Sequence, residues 1–212
     1  MTYATALLPQ LIEAIADAIN QNAGEVTALD QAIGDGDHVV NLQRGIHALM
    51  EQRHELVLLD WVAAWQKIGM TLMSTVGGAS GSLLGTLFVA MAKAGKGQIL
   101  DAAGFAAIFN QGVESMKQRG KSDAGEKTML DVLVPVANYL QASAKADIAL
   151  AGVLAAVQEV ALAGVESTRD MVATKGRASF LEARTLGHID AGAKTSQLII
   201  CAICPVLSAS PA

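Results

Sequence analysis

Three aspartates close together are the residues of this sequence best suited to chemistry. In the stretch LDQAIGDGDHVVN, Asp30, Asp35 and Asp37 crowd a glycine-rich turn just ahead of an amphipathic helical pattern. Carboxylates packed this densely repel one another unless a cation lies among them, which points to a hard metal. The spacing is not that of an EF-hand, because no D-x-D-x-D-G array exists and no acid stands twelfth from any of the three. Magnesium suits better, since it takes a few carboxylates and fills its remaining positions with water and phosphate oxygens. Asp35 and Asp37 have a second possible role as turn and N-cap residues before a helix at His38, and by themselves the residues support the two roles equally.

A second feature is MSTVGGASGSLLGT, where a glycine-rich turn enters a helix near Ser80. The first turn of a helix presents unpaired N–H groups and a positive dipole end, so this turn could cradle a phosphate. Taken by itself it reads more readily as a tight helix–helix turn in which glycines permit close packing. No G-x-x-x-x-G-K-[ST] is present and no strand precedes the turn, which removes the P-loop and the dinucleotide fingerprint. The third feature is late in the chain, where Lys175, Arg177, Arg184, His188, Asp190 and Lys194 lie in a long stretch of mixed charge. An arginine there has the planar fork that grips phosphate oxygens. His38 adjoins the aspartates, whereas His47 and His54 read as surface residues. Cys201 and Cys204 spell C-x-x-C, but LIICAICPVL is an apolar helical setting without a second cysteine pair, so both read as core residues.

Helices must position these groups. Aromatic residues make up 4% of the 212, alternating β-branched runs are scarce, and Ala, Leu, Met and Gln fill the periodic stretches, which predicts an all-α fold in one domain spanning 1–212. Eight helices are expected, at about Tyr3–Asn20, His38–His54, Leu59–Thr75, Ser80–Ala94, Ala102–Arg119, Thr128–Ser143, Asp147–Ala173 and Thr195–Leu207. Between them, Ala23–Asp37, Gly77–Ala79, Gly120–Lys127 and Thr174–Lys194 are expected to be loops. The last is long enough to be a lid, and its Phe180, Leu181 and Leu186 predict an ordered one. A formal net charge of −5 argues against a nucleic-acid partner or an anionic membrane. The longest apolar runs, Ser82–Ala92 and Leu198–Leu207, fall short of the ~20 residues that cross a bilayer. An N-terminus without a basic start, carrying Glu13 and Asp17, lacks the anatomy of a secretory signal, and a cytoplasmic protein is expected.

Four blocks in order, GDGDH, VGGASGSLLGT, GEKTMLDVLVP and GRASFLEARTLGHIDAGA, together resemble the L-subunit family of dihydroxyacetone kinases. The resemblance implies an eight-helix antiparallel barrel with a nucleotide site at one end. It implies that Asp30, Asp35 and Asp37 hold two Mg²⁺ ions on the phosphates of ADP or ATP, and that Arg177 joins these three as a catalytic residue. Nucleotide contacts are implied for His38, Asn41, Ala79, Ser80, Gly120, Met129, Arg177, Asp190 and Gly192. Dihydroxyacetone would be held on a separate K subunit, and ADP would be rephosphorylated by a phosphohistidine on an M subunit of the phosphoenolpyruvate phosphotransferase system. Two alternatives accompany this: an ATP-dependent subunit serving a triose or tetrulose kinase, and a non-catalytic ADP-bound subunit that docks on a transcription regulator. Three positions depart from the family pattern, with Val39 and Glu182 where glycine is common and Ala191 in place of proline. Val39 is expected to alter how closely the backbone approaches the phosphates.

Overall fold

Apolar residues at three- and four-residue spacing give each helix one buried stripe, and the stripes dictate which helices meet. A computed structural model describes residues 5–146 and 148–209. Among them are nine α-helices and no strand: α1 (Leu8–Gln21), α2 (Ala23–Ile33), α3 (His38–Leu56), α4 (Trp61–Thr75), α5 (Gly78–Gly95), α6 (Ala102–Gly120), α7 (Leu130–Ser143), α8 (Leu150–Ser167) and α9 (Ala191–Ala209). The expected starts at Tyr3 and Asp147 lie outside the described residues. Side-chain caps set two of the boundaries: Asp60 accepts the amide of Ala63 and Asp101 that of Gly104, each at 2.8 Å.

Eight of these helices pack in a closed cycle: α1 on α3, α3 on α4, then each on its successor to α9, which returns to α1. Closest is the α4–α5 pair, where a Cβ at Gly69 would lie 2.8 Å from the carbonyl oxygen of Gly85. A substantial part of the core fills this cycle with Trp65, Leu87, Met116, Val132, Val165 and Ile200. Each fully buried aliphatic side chain contributes roughly 1.5–3 kcal/mol. A second cluster joins α1, α3 and α4 through Ile12, Leu49, Leu56 and Leu72. Helices α8, with its short extension to Asp170, and α9 are long and apolar enough to cross a membrane by length and composition, but each has its neighbours within the cycle. Cys201 and Cys204 are free thiols on α9; burial, with Cys201 nearby, pushes the Cys204 thiol up to about 11, consistent with a core role.

Helix α2 corrects the sequence reading. The stretch Ala23–Asp37 is mostly helical, because the chain breaks only at Asn22, whose side chain donates back to the carbonyl of Ala18 at 2.8 Å, and then restarts at once. Val26 and Ile33 are its buried anchors, a stripe too thin to stand out beside Gly24, Thr27 and Asp30. Asp30 therefore sits on a helix rather than in the turn. The helix expected to reach Ala173 stops at Ser167 and passes through a 3-10 turn, Thr168–Asp170. The long segment that follows is ordered, with a 3-10 helical stretch over Arg177–Thr185. Apolar burial is not what orders it, since Phe180 is 83% exposed and Leu186 46%. Polar ties do so instead: buried Thr185 accepts the amide of Ala173 at 3.0 Å, and Glu126 holds Thr174 and Lys175. Those bonds, joined by the Asp123 amide, outweigh desolvation and hold the Glu126 carboxyl down at about 2.

Candidate functional site

Asp30 projects from the last turns of α2, and Asp35 and Asp37 from the four-residue link Gly34–Asp37 into α3. Carboxylate oxygens of all three lie within 4.8 Å of one another, with Asp30 half-buried and the other two exposed. That is an all-oxygen, triply anionic donor set open on one side, as a magnesium site with phosphate ligands requires. The capping role fails for Asp37, which holds the N-cap position of α3 but makes no side-chain cap bond. Asp30 takes that part from a distance, accepting the amide of His38 at 3.0 Å.

His38 ties this cluster to two other helix starts. Its Nε2 lies 2.9 Å from the hydroxyl of Thr195 on α9, and its Nδ1 lies 3.2 Å from that of Ser80 on α5. Desolvation lowers the imidazole pKa despite the opposing pull of Asp30 and Asp37, so the ring is neutral at physiological pH and serves as a hydrogen-bonding strut. Ala79 and Ser80 occupy the first turn of α5, whose N-cap, Gly77, supplies no side chain to the orphan N–H groups. Glycine is required here for two reasons. Gly78 has φ +68°, and a Cβ on Gly81 would fall 2.1 Å from the carbonyl oxygen of Val76. Asn41 is buried against this turn, where a Cβ on Gly77 would come 2.6 Å from its Oδ1.

From the late segment Arg177 reaches the cluster, its Nε 2.8 Å from Asp35 Oδ2. Met129, Asp190 and Gly192 form an adjoining group at the start of α9. Asp190 accepts the amide of Ala193 at 2.7 Å, which caps α9. Burial raises its carboxyl to about 7, against the lowering effect of the Ala193 bond, and Asp131 raises it further. A Cβ on Gly192 would lie 2.8 Å from Cγ of Met129, so only glycine fits. The two groups join through Gly192, whose carbonyl accepts the hydroxyls of Thr195 and Ser196 at 3.0 and 2.9 Å. Gly120 stands apart at the end of α6, where a Cβ would meet only Leu83 and Ser122. Two residues absent from the sequence-based set belong here: Lys127, 1% exposed, and Asp131, 3% exposed. In GEKTMLD only Asp131, a lone charge in the apolar first turn of α7, offered a signal; Lys127 stands before the helix beside Glu126 in a polar stretch.

The departures from the family pattern resolve differently. Val39 turns away from the aspartates into a core cluster with Ile19, Val26, Leu42 and Leu198, and is 2% exposed. Its side chain therefore serves the core beside the site. Ala191 opens α9 under the Asp190 cap and needs no proline. Glu182 is the costly one, with φ 51° and ψ −129°, a region that glycine alone enters freely.

Comparison with known proteins places the chain in a family. The DAK2 domain model matches residues 32–205. The chain is 40% identical over 199 residues to the ADP-binding subunit DhaL of PEP-dependent dihydroxyacetone kinase 1 from Listeria innocua serovar 6a, covering 94% of this chain and 95% of that protein. It is 38% identical over 178 residues to the DhaL subunit of Escherichia coli K12, with 84% and 85% covered. Its fold matches the crystal structure of the dihydroxyacetone kinase from C. freundii in complex with AMP-PNP and Mg²⁺ with a TM-score of 0.74 and 26% identity, covering 97% of this chain but only 34% of that longer one. The match over most of the chain and the near-full-length likeness to those subunits establish that this chain belongs to the DAK2 domain family.

Proposed function

We propose that this chain is the nucleotide-holding subunit of a dihydroxyacetone kinase, carrying ADP as a resident cofactor and passing a phosphoryl group to dihydroxyacetone on a separate K subunit. The observation that carries the reading is the aspartate triad: three carboxylates with oxygens within 4.8 Å, one of them bonded to the helix that links the N-termini of α5 and α9 through His38.

In this reading Asp30, Asp35 and Asp37 hold two Mg²⁺ ions. Bound there, magnesium neutralises charge on the phosphates. The remaining work falls to the chain's own residues. First-turn amides at Ala79 and Ser80 donate to phosphate oxygens, and neutral His38 fixes the Ser80 hydroxyl and the start of α9. Arg177 is 73% exposed in its side chain and ends on a loop, so its fork is free to turn from Asp35 to the transferring group. Met129 and Gly192 provide a close-fitting wall on which the nucleotide lies, Asn41 flanks the phosphate end beside the α5 turn, and Gly120, farther off at the end of α6, would contact the nucleotide away from its phosphates. Transfer then needs positioning and charge stabilisation rather than a protein nucleophile. The acceptor is supplied by the K subunit, and an M subunit of the phosphotransferase system restores the γ-phosphoryl from phosphoenolpyruvate. Such a subunit works in the cytoplasm.

The test is reconstitution. Purified chain, K subunit, M subunit, the general phosphotransferase proteins and phosphoenolpyruvate should form dihydroxyacetone phosphate with catalytic ADP. No product in that mixture would sink the reading, and turnover with ATP in the absence of M would reassign the donor.

A further inference from the structure

We propose that Lys127 is a positioning residue for phosphoryl transfer, a buried clamp that fastens both stems of the 168–190 segment and so delivers Arg177 to the aspartate cluster. The role in transfer rests on the function proposed above. The clamp itself rests on five observations.

First, Lys127 is 1% exposed, although a lysine is almost never fully buried without partners. Second, its Nζ donates to two backbone carbonyls, those of Thr168 and His188. Thr168 is where the chain leaves α8 and His188 is where it returns toward α9, so one side chain ties the two ends of the excursion that carries Arg177. Third, the tie is doubled, because the Thr168 hydroxyl accepts the amide of Asp190 at 3.1 Å and donates to the carbonyl of Val165 at 2.7 Å. Fourth, the lysine backbone is forced into place: φ is +60°, which a non-glycine residue adopts only when its surroundings require it. Those surroundings are the buried carboxylate of Asp131, which accepts the amides on either side, Gly125 at 2.5 Å and Thr128 at 2.6 Å. Fifth, Met129, two residues on, meets Gly192, so the same short loop that aims Lys127 also builds the wall of the site.

A structural bolt with no link to the chemistry would hold the fold together generally. A clamp at the base of this one excursion makes a narrower prediction, that loosening it frees the loop and costs what Arg177 supplies, and nothing in addition once Arg177 is gone.

The experiment uses the full chain with Lys127→Met, Arg177→Ala and the double variant. Hydrogen exchange on the free proteins should show residues 171–187 exchanging at least tenfold faster in Lys127→Met, with α4 and α5 protected as in the wild type. Turnover with the K and M subunits should fall tenfold or more in kcat for Lys127→Met, with a smaller change in KM for the K subunit. The double variant should be no more than about twofold slower than Arg177→Ala alone. Unchanged exchange at 171–187, or kcat losses that multiply in the double variant, would overturn the proposal. Thr168→Val guards against a variant that fails to fold, since it keeps shape and the carbonyl while removing the hydroxyl that holds Asp190. It should speed exchange of 171–187 about threefold, and wild-type exchange there would also overturn the clamp. If wild-type protein stripped of nucleotide by chelation fails to bind Mg-ADP by calorimetry, the kinase reading falls and the positioning role with it, an outcome separate from any variant's behaviour.

Discussion

Replacing Asp37 by asparagine should change stability in opposite directions with and without magnesium. The carboxylate makes no capping bond, so asparagine costs the fold nothing there. It also removes two of the three repulsive pairs in a cluster whose oxygens lie within 4.8 Å of one another. At that separation each pair costs about 0.9 kcal/mol in water and about 0.5 after screening at physiological ionic strength. Asp37→Asn should therefore stabilise metal-free protein by about 1 kcal/mol, raising Tm by about 2–4 °C in a chain of this size. Wild-type protein at a hundredfold excess of Mg²⁺ over its Kd gains about 2.7 kcal/mol, and the variant should gain almost none of it. Thermal melts in chelator and in a magnesium series read both arms. A lower Tm in chelator would mean that the carboxylate serves the fold, and an undiminished magnesium response would remove Asp37 from the ligand set.

Three further outcomes follow from named contacts. Glu182→Gly should relieve a backbone strain of about 1–3 kcal/mol against an entropy cost of about 0.5–1, so that hydrogen exchange of 176–187 slows several-fold while Glu182→Ala leaves it unchanged. Val39→Gly, the residue the family pattern favours, should empty a core position and destabilise by roughly 3 kcal/mol in denaturant melts, yet leave Mg-ADP affinity within twofold. Asp190 has a folded pKa near 7, above its unfolded value, so the folded state binds its proton more tightly. Stability from this group is complete below about pH 4, declines as pH rises to about 7, and is flat above. Urea melts in chelator should show wild type losing up to roughly 4 kcal/mol relative to Asp190→Asn across that window. Parallel pH profiles for the two proteins would contradict the assignment.

The fold was legible where a helix has a broad apolar stripe or a polar cap, as with α4 after Asp60 and α6 after Asp101. It was not legible at α2, whose few buried residues leave little periodicity and whose glycine, threonine and aspartate read as loop. That lapse displaced Asp30 from its helix without changing its chemistry, because close spacing of carboxylates survives either backbone. Carboxylates and glycines of the site could be read from type and spacing. Lys127 could not, because a lysine beside Glu126 in a polar stretch looks solvated until Thr168 and His188, distant in sequence, close over it. The lid misled in the opposite sense: Phe180 and Leu186 suggested apolar docking, while the order comes from Thr185, Glu126 and Lys127.

The most direct measurement is the nucleotide content of gently purified protein, read by chromatography after denaturation, with and without prior chelation and beside Asp35→Asn. The account predicts near-stoichiometric ADP in wild type, lost on chelation and absent from the variant. Protein that carries no nucleotide and binds neither ADP nor ATP with Mg²⁺ would contradict it.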